Sequence, residues 1–447
     1  MKKIFSELIA SFRTTDVKSD AISFSMQMGA VLLNLLVNLF LTNVMPQDEY
    51  GAFAYASTLI FVLAGLGTFG TLNLITREVG ASAENFSTSK TLFGWAAKRS
   101  IIFTAILLSA FILISLKFEI FFGDPKMEAY RTPFLVSLAA VPFLVLVYIC
   151  QAYFQGLRKI FNALFAEKIV RPVLLLLISL LYFFLTAKTN LNFIALSILN
   201  LASFAAAMFV VFVPARNSLK NIQPALLSGD LSLRWKKSTM TFFLLSAVTL
   251  IYLRADIICL GFFKDTSQIG VYNIACRIAE MSSFPLHVLT FGLSPLIASV
   301  YNKGENVKLQ EIITASSRLI FILCFIPAII FFIAGKPILG LFGSEFEAGF
   351  TPFIILVFGN MLNAIAGPAG YVLIMTGHER LAFLSMTIAC IVNIGMNLIL
   401  VPLYGITGTA IALCCAIFTW NVLITIFTIR KTGIRPDIFF LLRRNES

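Results

Sequence analysis

The sequence predicts an all-α polytopic membrane protein, with twelve transmembrane helices in two six-helix lobes related by an internal parallel repeat. Three observations predict it. Of the 447 residues, 59% are hydrophobic and only 13% charged, whereas soluble domains carry about 25% charged residues. Apolar runs long enough to cross about 30 Å of hydrocarbon recur along the whole chain. Short matches between the two halves recur at a nearly constant separation.

The first 20 residues place Ile4, Phe5, Leu8, Ile9 and Phe12 at helical spacing among Lys2, Lys3 and Arg13, the pattern of an interfacial helix. No cleavable signal peptide is expected, because this stretch is polar and mixed and the first apolar run continues too long. The twelve spans are expected at 21–43, 51–76, 100–122, 133–155, 165–186, 192–213, 238–262, 270–300, 318–341, 351–376, 381–403 and 406–429. They define an N-lobe over 21–213, a linker over 214–237, a C-lobe over 238–429 and a basic tail over 430–447. Pro214 to Lys237 reads as the longest loop, and the loops on the opposite side are too short to house a catalytic domain.

A net charge of +12 would suit a nucleic-acid binder, but its distribution excludes that class. With the N-terminus inside, 26 of the 34 Lys and Arg fall in cytoplasmic segments, six on the opposite side, and Arg254 and Arg277 within spans. Lys and Arg concentrate on the cytoplasmic side of membrane proteins, so both termini and the central linker are expected there. The seven cysteines all lie in apolar runs without ligand or disulfide spacing, and the two histidines are far apart. Neither a metal nor another cofactor is expected.

The repeat is legible in five ordered matches. Lys18-Ser19, Gly51…Ala56 and Thr132-Pro133-Phe134 recur 219 residues later as Lys237-Ser238, Gly270…Ala275 and Thr351-Pro352-Phe353. Phe122-Gly123 recurs as Phe342-Gly343, and Gly156 as Gly377. An even number of spans in each half gives both halves the same orientation, so their axis lies along the membrane normal.

The chemistry-bearing residues concentrate in the hairpin of spans seven and eight. Arg254, Asp256, Arg277 and Glu280 lie roughly 10–17 Å in from its turn at 1.5 Å per residue. Charges at that depth normally face a partner or a water-filled cavity. Arg277 and Glu280, three apart, share a face; Arg254 and Asp256, two apart, do not. Their repeat partners are uncharged Leu35, Val37, Thr58 and Phe61, so the shared fold does not require them. An ion-pair network that only fixes packing is the competing reading. Gln27, Asn34 and Asn38 form an amide stripe on span one, suited equally to cavity lining and to helix–helix bonding. Asn360, Asn363, Asn393 and Asn397 behave likewise, with helix bonding favoured for the last pair. Pro285 and Pro295 interrupt span eight, and Gly367-Pro368 and Gly370 interrupt span ten. Arg77-Glu78, Arg158-Lys159 and Glu167-Lys168…Arg171 read as inside-loop charges, with Arg77 and Arg171 placed to guide an anionic headgroup.

Several stretches resemble a known family. They are Asp48-Glu49-Tyr50-Gly51-Ala52-Phe53, Leu66-Gly67…Arg77-Glu78 and Phe154-Gln155-Gly156-Leu157-Arg158 in the first half. The second half adds Asp256…Gly261…Gly270-Val271-Tyr272-Asn273-Ile274-Ala275, Gly377-His378 and Asn393…Asn397-Leu398…Pro402-Leu403-Tyr404-Gly405-Ile406-Thr407-Gly408. Almost the whole chain resembles the polysaccharide-transporter branch, with its Wzx-type O-antigen flippases, of the multidrug/oligosaccharidyl-lipid/polysaccharide exporter superfamily. The resemblance implies a non-enzymatic flippase of the bacterial inner membrane that serves lipopolysaccharide assembly. Its substrate would be an undecaprenyl-pyrophosphate-linked oligosaccharide, an O-antigen or similar repeat unit, moved by alternating access around a central cationic cavity. Implied partners are this lipid-linked oligosaccharide, membrane lipids, and the polysaccharide polymerase and chain-length machinery. Arg254 and Arg277 are the matching substrate-binding candidates, since a guanidinium binds pyrophosphate bidentately. Arg77, Arg171, Asn34 and Asn38 are further candidates. Asp256 and Glu280 are the candidates for ion coupling, because the chain has no nucleotide-binding motif to supply energy.

Other readings make different demands. A cation or drug antiporter of the same superfamily wants an acidic residue in span one, and positions 21–43 hold none. A lipid II flippase usually has fourteen spans. A glycosyltransferase, polymerase or ligase needs a sizeable outer loop. A scaffold leaves the hairpin charges without a purpose. Another lipid-linked glycan exporter, for exopolysaccharide or capsule, fits the same residues.

Overall fold

The computed structural model describes residues 17–81, 86–115, 130–186, 191–225 and 229–436. The expected interfacial segment therefore lies outside the described residues up to position 16, as does the tail beyond 436. The described residues are helical and contain no strand. They form two compact units: 21–254 with 264–270, and 255–263 with 271–436 and 17–20.

The elements of the first unit are α1 (Val17–Val44), α2 (Gln47–Gly67), α3 (Thr71–Ala81), α4 (Phe86–Ser115), α5 (Arg131–Leu138), α6 (Val141–Gly156) and α7 (Ile160–Phe165). A π-turn, Ala166–Val170, joins α7 to α8 (Arg171–Leu185), and α9 (Phe193–Leu219) follows. α10 (Gly229–Phe263) and α11 (Thr266–Glu280) each pass from one unit to the other. The second unit continues with α12 (Phe284–Asn302), α13 (Asn306–Gly340), α14 (Phe350–Ala366), α15 (Ala369–Met375) and α16 (Glu379–Thr432).

Ten described stretches have the length and apolarity of a membrane span. Eleven of the twelve predicted spans overlap them, two sharing one stretch, and span eight overlaps none. Glu379–Thr432 holds spans eleven and twelve. Gly405 divides it at φ +56° and ψ −135°, a conformation open only to glycine. Span eight is split between α11 and α12 by a 3-10 turn, Met281–Ser283, with Pro285 in the first turn of α12. Pro368 follows Gly367 (φ +63°) at the break between α14 and α15, while α12 runs on past position 295. The stretch read as a 214–237 loop is mostly helix. Pro214 lies inside α9, and α10 starts at Gly229. Lys and Arg are good helix formers, so a basic end remains helical after it leaves the apolar stretch.

Burial follows composition. α2, a run of Ala, Tyr, Phe and Leu, is 83% buried over its span window and forms the centre of the first unit. Tyr50, Ala56, Ile60 and Ala64 are sealed completely. In contrast, Leu177, Leu181, Phe184 and Leu185 form one face of α8 at i, i+4, i+7 and i+8, each more than half exposed. That is the arrangement of a helix whose outer side faces hydrocarbon. At its N-terminal end α2 crosses the start of α11 within the same unit, and the crossing residues are Gly51 and Gly270, equivalent positions of the repeat. A Cβ on Gly51 would overlap the Thr266 carbonyl, so the glycine sets how closely the two backbones approach.

In the second unit, amides join the helices. Asn360 Nδ2 donates to the Ala279 carbonyl at 2.9 Å, and Asn421 Nδ2 to Asn363 Oδ1 at 2.7 Å. Asn397 Nδ2 donates to Asn393 Oδ1 at 2.7 Å, and both residues are fully buried. That contact lies within α16, one turn apart, and is not the helix–helix bond expected for this last pair. Leu293, Ile297 and Val300 of α12 pack on Leu309, Ile312 and Ile313 of α13. Ile434, beyond α16, closes that cluster, and Gln310 and Ser317 bond the backbone of Arg435 and Pro436.

Candidate functional site: charges within the spans

The α10–α11 hairpin is set by its turn. Asp265 caps α11, its Oδ1 accepting from the Gln268 backbone N–H at 3.0 Å. Fifteen residues of α11 then carry Tyr272, Arg277 and Glu280 inward from that turn. Arg277 Nη1 pairs with Glu280 Oε2 at 3.4 Å across one turn of helix. Their side chains are 34% and 51% exposed, so this pair is open on one side. Asp256 is in a different environment. It is 3% exposed, and its Oδ2 accepts from the sealed Tyr272 hydroxyl at 3.0 Å. The expected divergence of neighbours two apart holds: Asp256 is buried while Arg254 is partly exposed.

Arg171 is not at a loop. It is the first residue of α8, 11 residues past the start of α7, or roughly 16 Å along the helix. It is 8% exposed. Its guanidinium carbon lies 4.1 Å from the Phe204 ring centroid and 5.3 Å from that of Phe61, so α9 and α2 each supply a ring face. Arg171 Nη2 donates to Asn200 Oδ1 at 3.2 Å. Glu167 lies on the π-turn, where its carboxylate accepts from Gln151 Nε2 at 2.9 Å and Lys168 Nζ at 3.1 Å. Reading from sequence missed Asn200, Gln151 and the two rings. The available signal was the Glu167–Arg171 spacing of four inside an otherwise apolar run.

Arg77 is half exposed. It holds Glu78 at 2.8 Å, donates to Ser238 Oγ at 3.2 Å and lies over the Phe242 ring at 5.5 Å. Asn34 Nδ2 donates to the Ala30 carbonyl, and Asn38 Nδ2 to the Asn34 carbonyl, both at 2.7 Å. Asn38 Oδ1 accepts from the Tyr50 hydroxyl at 2.8 Å, tying α1 to α2. Among the described residues no group of His, Cys, Asp and Glu is arranged to hold a metal ion.

Comparison with known proteins gives three kinds of likeness. Residues 17–300 match the family described as polysaccharide biosynthesis protein. Two curated relatives come from Haloferax volcanii. "Probable low-salt glycan biosynthesis flippase Agl15" is 27% identical over 161 residues, 35% of this chain and 34% of the relative. "Probable flippase AglR" is 27% identical over 163 residues, with the same shares. The chain thus spans about a third of the length of these relatives. Among solved structures, an inward-facing multidrug resistance MATE family transporter of the MOP superfamily superposes with TM-score 0.72 at 14% identity, covering 93% of this chain and 98% of that one. Lipid II flippase MurJ, in an inward closed conformation, superposes with TM-score 0.70 at 13% identity, covering 93% and 88%. At these identities the likeness is one of fold.

Proposed function

We propose, because the chain belongs to the polysaccharide biosynthesis protein family, that it is a flippase for a lipid-linked oligosaccharide whose anionic linkage is bound by arginine within the spans. The observation that carries this reading is the open Arg277–Glu280 pair, part-exposed and deep in a helical hairpin. A pyrophosphate presents oxygens that a guanidinium binds in a planar fork, and it outcompetes one carboxylate held at 3.4 Å. Arrival of the ligand then displaces Glu280, and the freed carboxylate takes up a proton. Departure of the ligand reverses both steps. Proton and anion are thereby taken up and released together at Arg277, with Asp256 the second candidate carboxylate of the coupling.

The substrate in this reading is an undecaprenyl-pyrophosphate-linked repeat unit of the O-antigen type, moved outward across a bacterial inner membrane with both termini cytoplasmic. Arg277→Ala should abolish surface glycan in cells lacking the native gene while leaving the protein inserted and abundant. Arg277→Lys should restore only part, at least about tenfold below native, or ~1.4 kcal/mol. In vesicles, an imposed pH gradient should drive flipping by the native protein and fail to drive it in Glu280→Gln. Normal surface glycan from Arg277→Ala at native expression sinks the assignment.

A further inference from the structure

The Arg171 cluster carries more charge than its partners neutralise. Among the described residues its hydrogen-bond acceptor is the neutral Asn200 amide. The nearby carboxylate, Glu167, is already held by Gln151 and Lys168. Two further donors in the cluster, Arg171 Nε and Asn200 Nδ2, are sealed from solvent and have no hydrogen-bond partner among the described residues. Buried donors without acceptors are rare, and a missing ligand, ion or water is the usual reason. Nε and Nη2 of a guanidinium form one edge of its fork, and Nη2 is the atom bonded to Asn200. The orphaned Nε–H therefore lies on the same edge as the Asn200 contact. The rings of Phe61 and Phe204 line the guanidinium, their centroids 5.3 and 4.1 Å from its carbon. A π-turn immediately precedes Arg171, and such widened turns concentrate at functional sites.

We propose that Arg171 and Asn200 form an occluded anion site inside the first unit, separate from the Arg277–Glu280 pair. Its ligand is a small group bearing an anionic oxygen, a carboxylate or phosphoryl oxygen, seated between Arg171 Nε–H and the Asn200 amide. Two sources share that chemistry: a free anion, and the acidic group of a lipid-linked molecule. The site does not rest on the transport reading, and its test measures binding.

The full chain in detergent is melted at fixed pH and ionic strength, following the fluorescence of its three tryptophans. The probes are sodium acetate, sodium phosphate and a short-chain polyprenyl diphosphate, with sodium chloride as the reference salt. A saturable rise in melting temperature of several degrees with at least one probe is expected. Response to acetate or phosphate identifies a free anion; response to the polyprenyl diphosphate alone identifies a lipid-linked source. Asn200→Asp places a carboxylate beside the guanidinium. It should raise the melting temperature without any probe and remove the response. Arg171→Lys keeps the charge but lacks Nε–H, and should weaken the response at least tenfold in midpoint concentration. A native protein that melts identically in every probe holds water at the site and overturns the proposal. A response that survives unchanged in Asn200→Asp and Arg171→Lys places the anion elsewhere and overturns it equally.

Discussion

Gly51→Ala and Gly270→Ala are the same chemical change at equivalent positions of the repeat, yet they should have unequal effects. At Gly51 an added Cβ overlaps the Thr266 carbonyl group, lying 2.5 Å from its carbon and 3.0 Å from the Gly270 nitrogen. Those obstacles are backbone, so relief requires α2 and α11 to move apart. Overpacking of this kind costs about 1–3 kcal/mol or more. At Gly270 the nearest atoms are Gly51 Cα and Tyr50 Cδ1, both at 3.2 Å, and the Gln47 oxygen at 3.3 Å. A shift of a few tenths of an ångström accommodates that methyl. Both positions are helical, and alanine is favoured over glycine in a helix by about 1 kcal/mol. With the upper end of that overpacking range at Gly51 and the lower end at Gly270, the expected net cost is about 2 kcal/mol for Gly51→Ala and close to zero for Gly270→Ala. Thermal unfolding of the purified protein, by tryptophan fluorescence and circular dichroism, measures both. Equal losses, or a larger loss at Gly270, would refute the argument that backbone contact at Thr266 limits the crossing.

Two further outcomes are expected. Tyr272→Phe removes the donor to the buried Asp256 carboxylate and should cost about 1.5–3 kcal/mol, relieved in the double variant with Asp256→Asn; a loss under about 0.5 kcal/mol in equilibrium unfolding contradicts that bond. Reporter fusions following Pro436 and within residues 220–228 should both report the cytoplasm, and a signal from the opposite side overturns the charge-based orientation.

Axial position was readable from sequence and azimuth largely was not. Apolar runs, the recurrence at 219, and breakers such as Pro285 and Gly367-Pro368 depend on local composition, and each has a counterpart in the helices. Residue counting also gave how far Asp256 and Arg277 lie along their helices from the α10–α11 turn. It did not give the direction of either side chain. Asp256 faces Tyr272 from the neighbouring helix, a pairing fixed by tertiary packing across 16 residues. The Arg171 cluster was further from reach. Its rings come from positions 61 and 204, and its amide from Asn200, so no local window contains the site. The π-turn adds one residue to the register ahead of Arg171, which a 3.6-residue period does not anticipate. Local patterning therefore assigned Arg171 to a loop mouth, although long-range contacts enclose it.

The strap after α16 bears on where this protein tolerates attachments. Pro436 lends its carbonyl to Ser317, and that same oxygen lies 2.7 Å from where a Cβ would stand on Gly367, the break between α14 and α15. Three segments thus meet on residues 434–436. A tag or fluorescent partner fused beyond Pro436 keeps every one of these described contacts in the chain. Cutting the chain a few residues earlier exposes the Ile434 pocket, strands the Gln310 amide, and frees the bend at Gly367 from its stay.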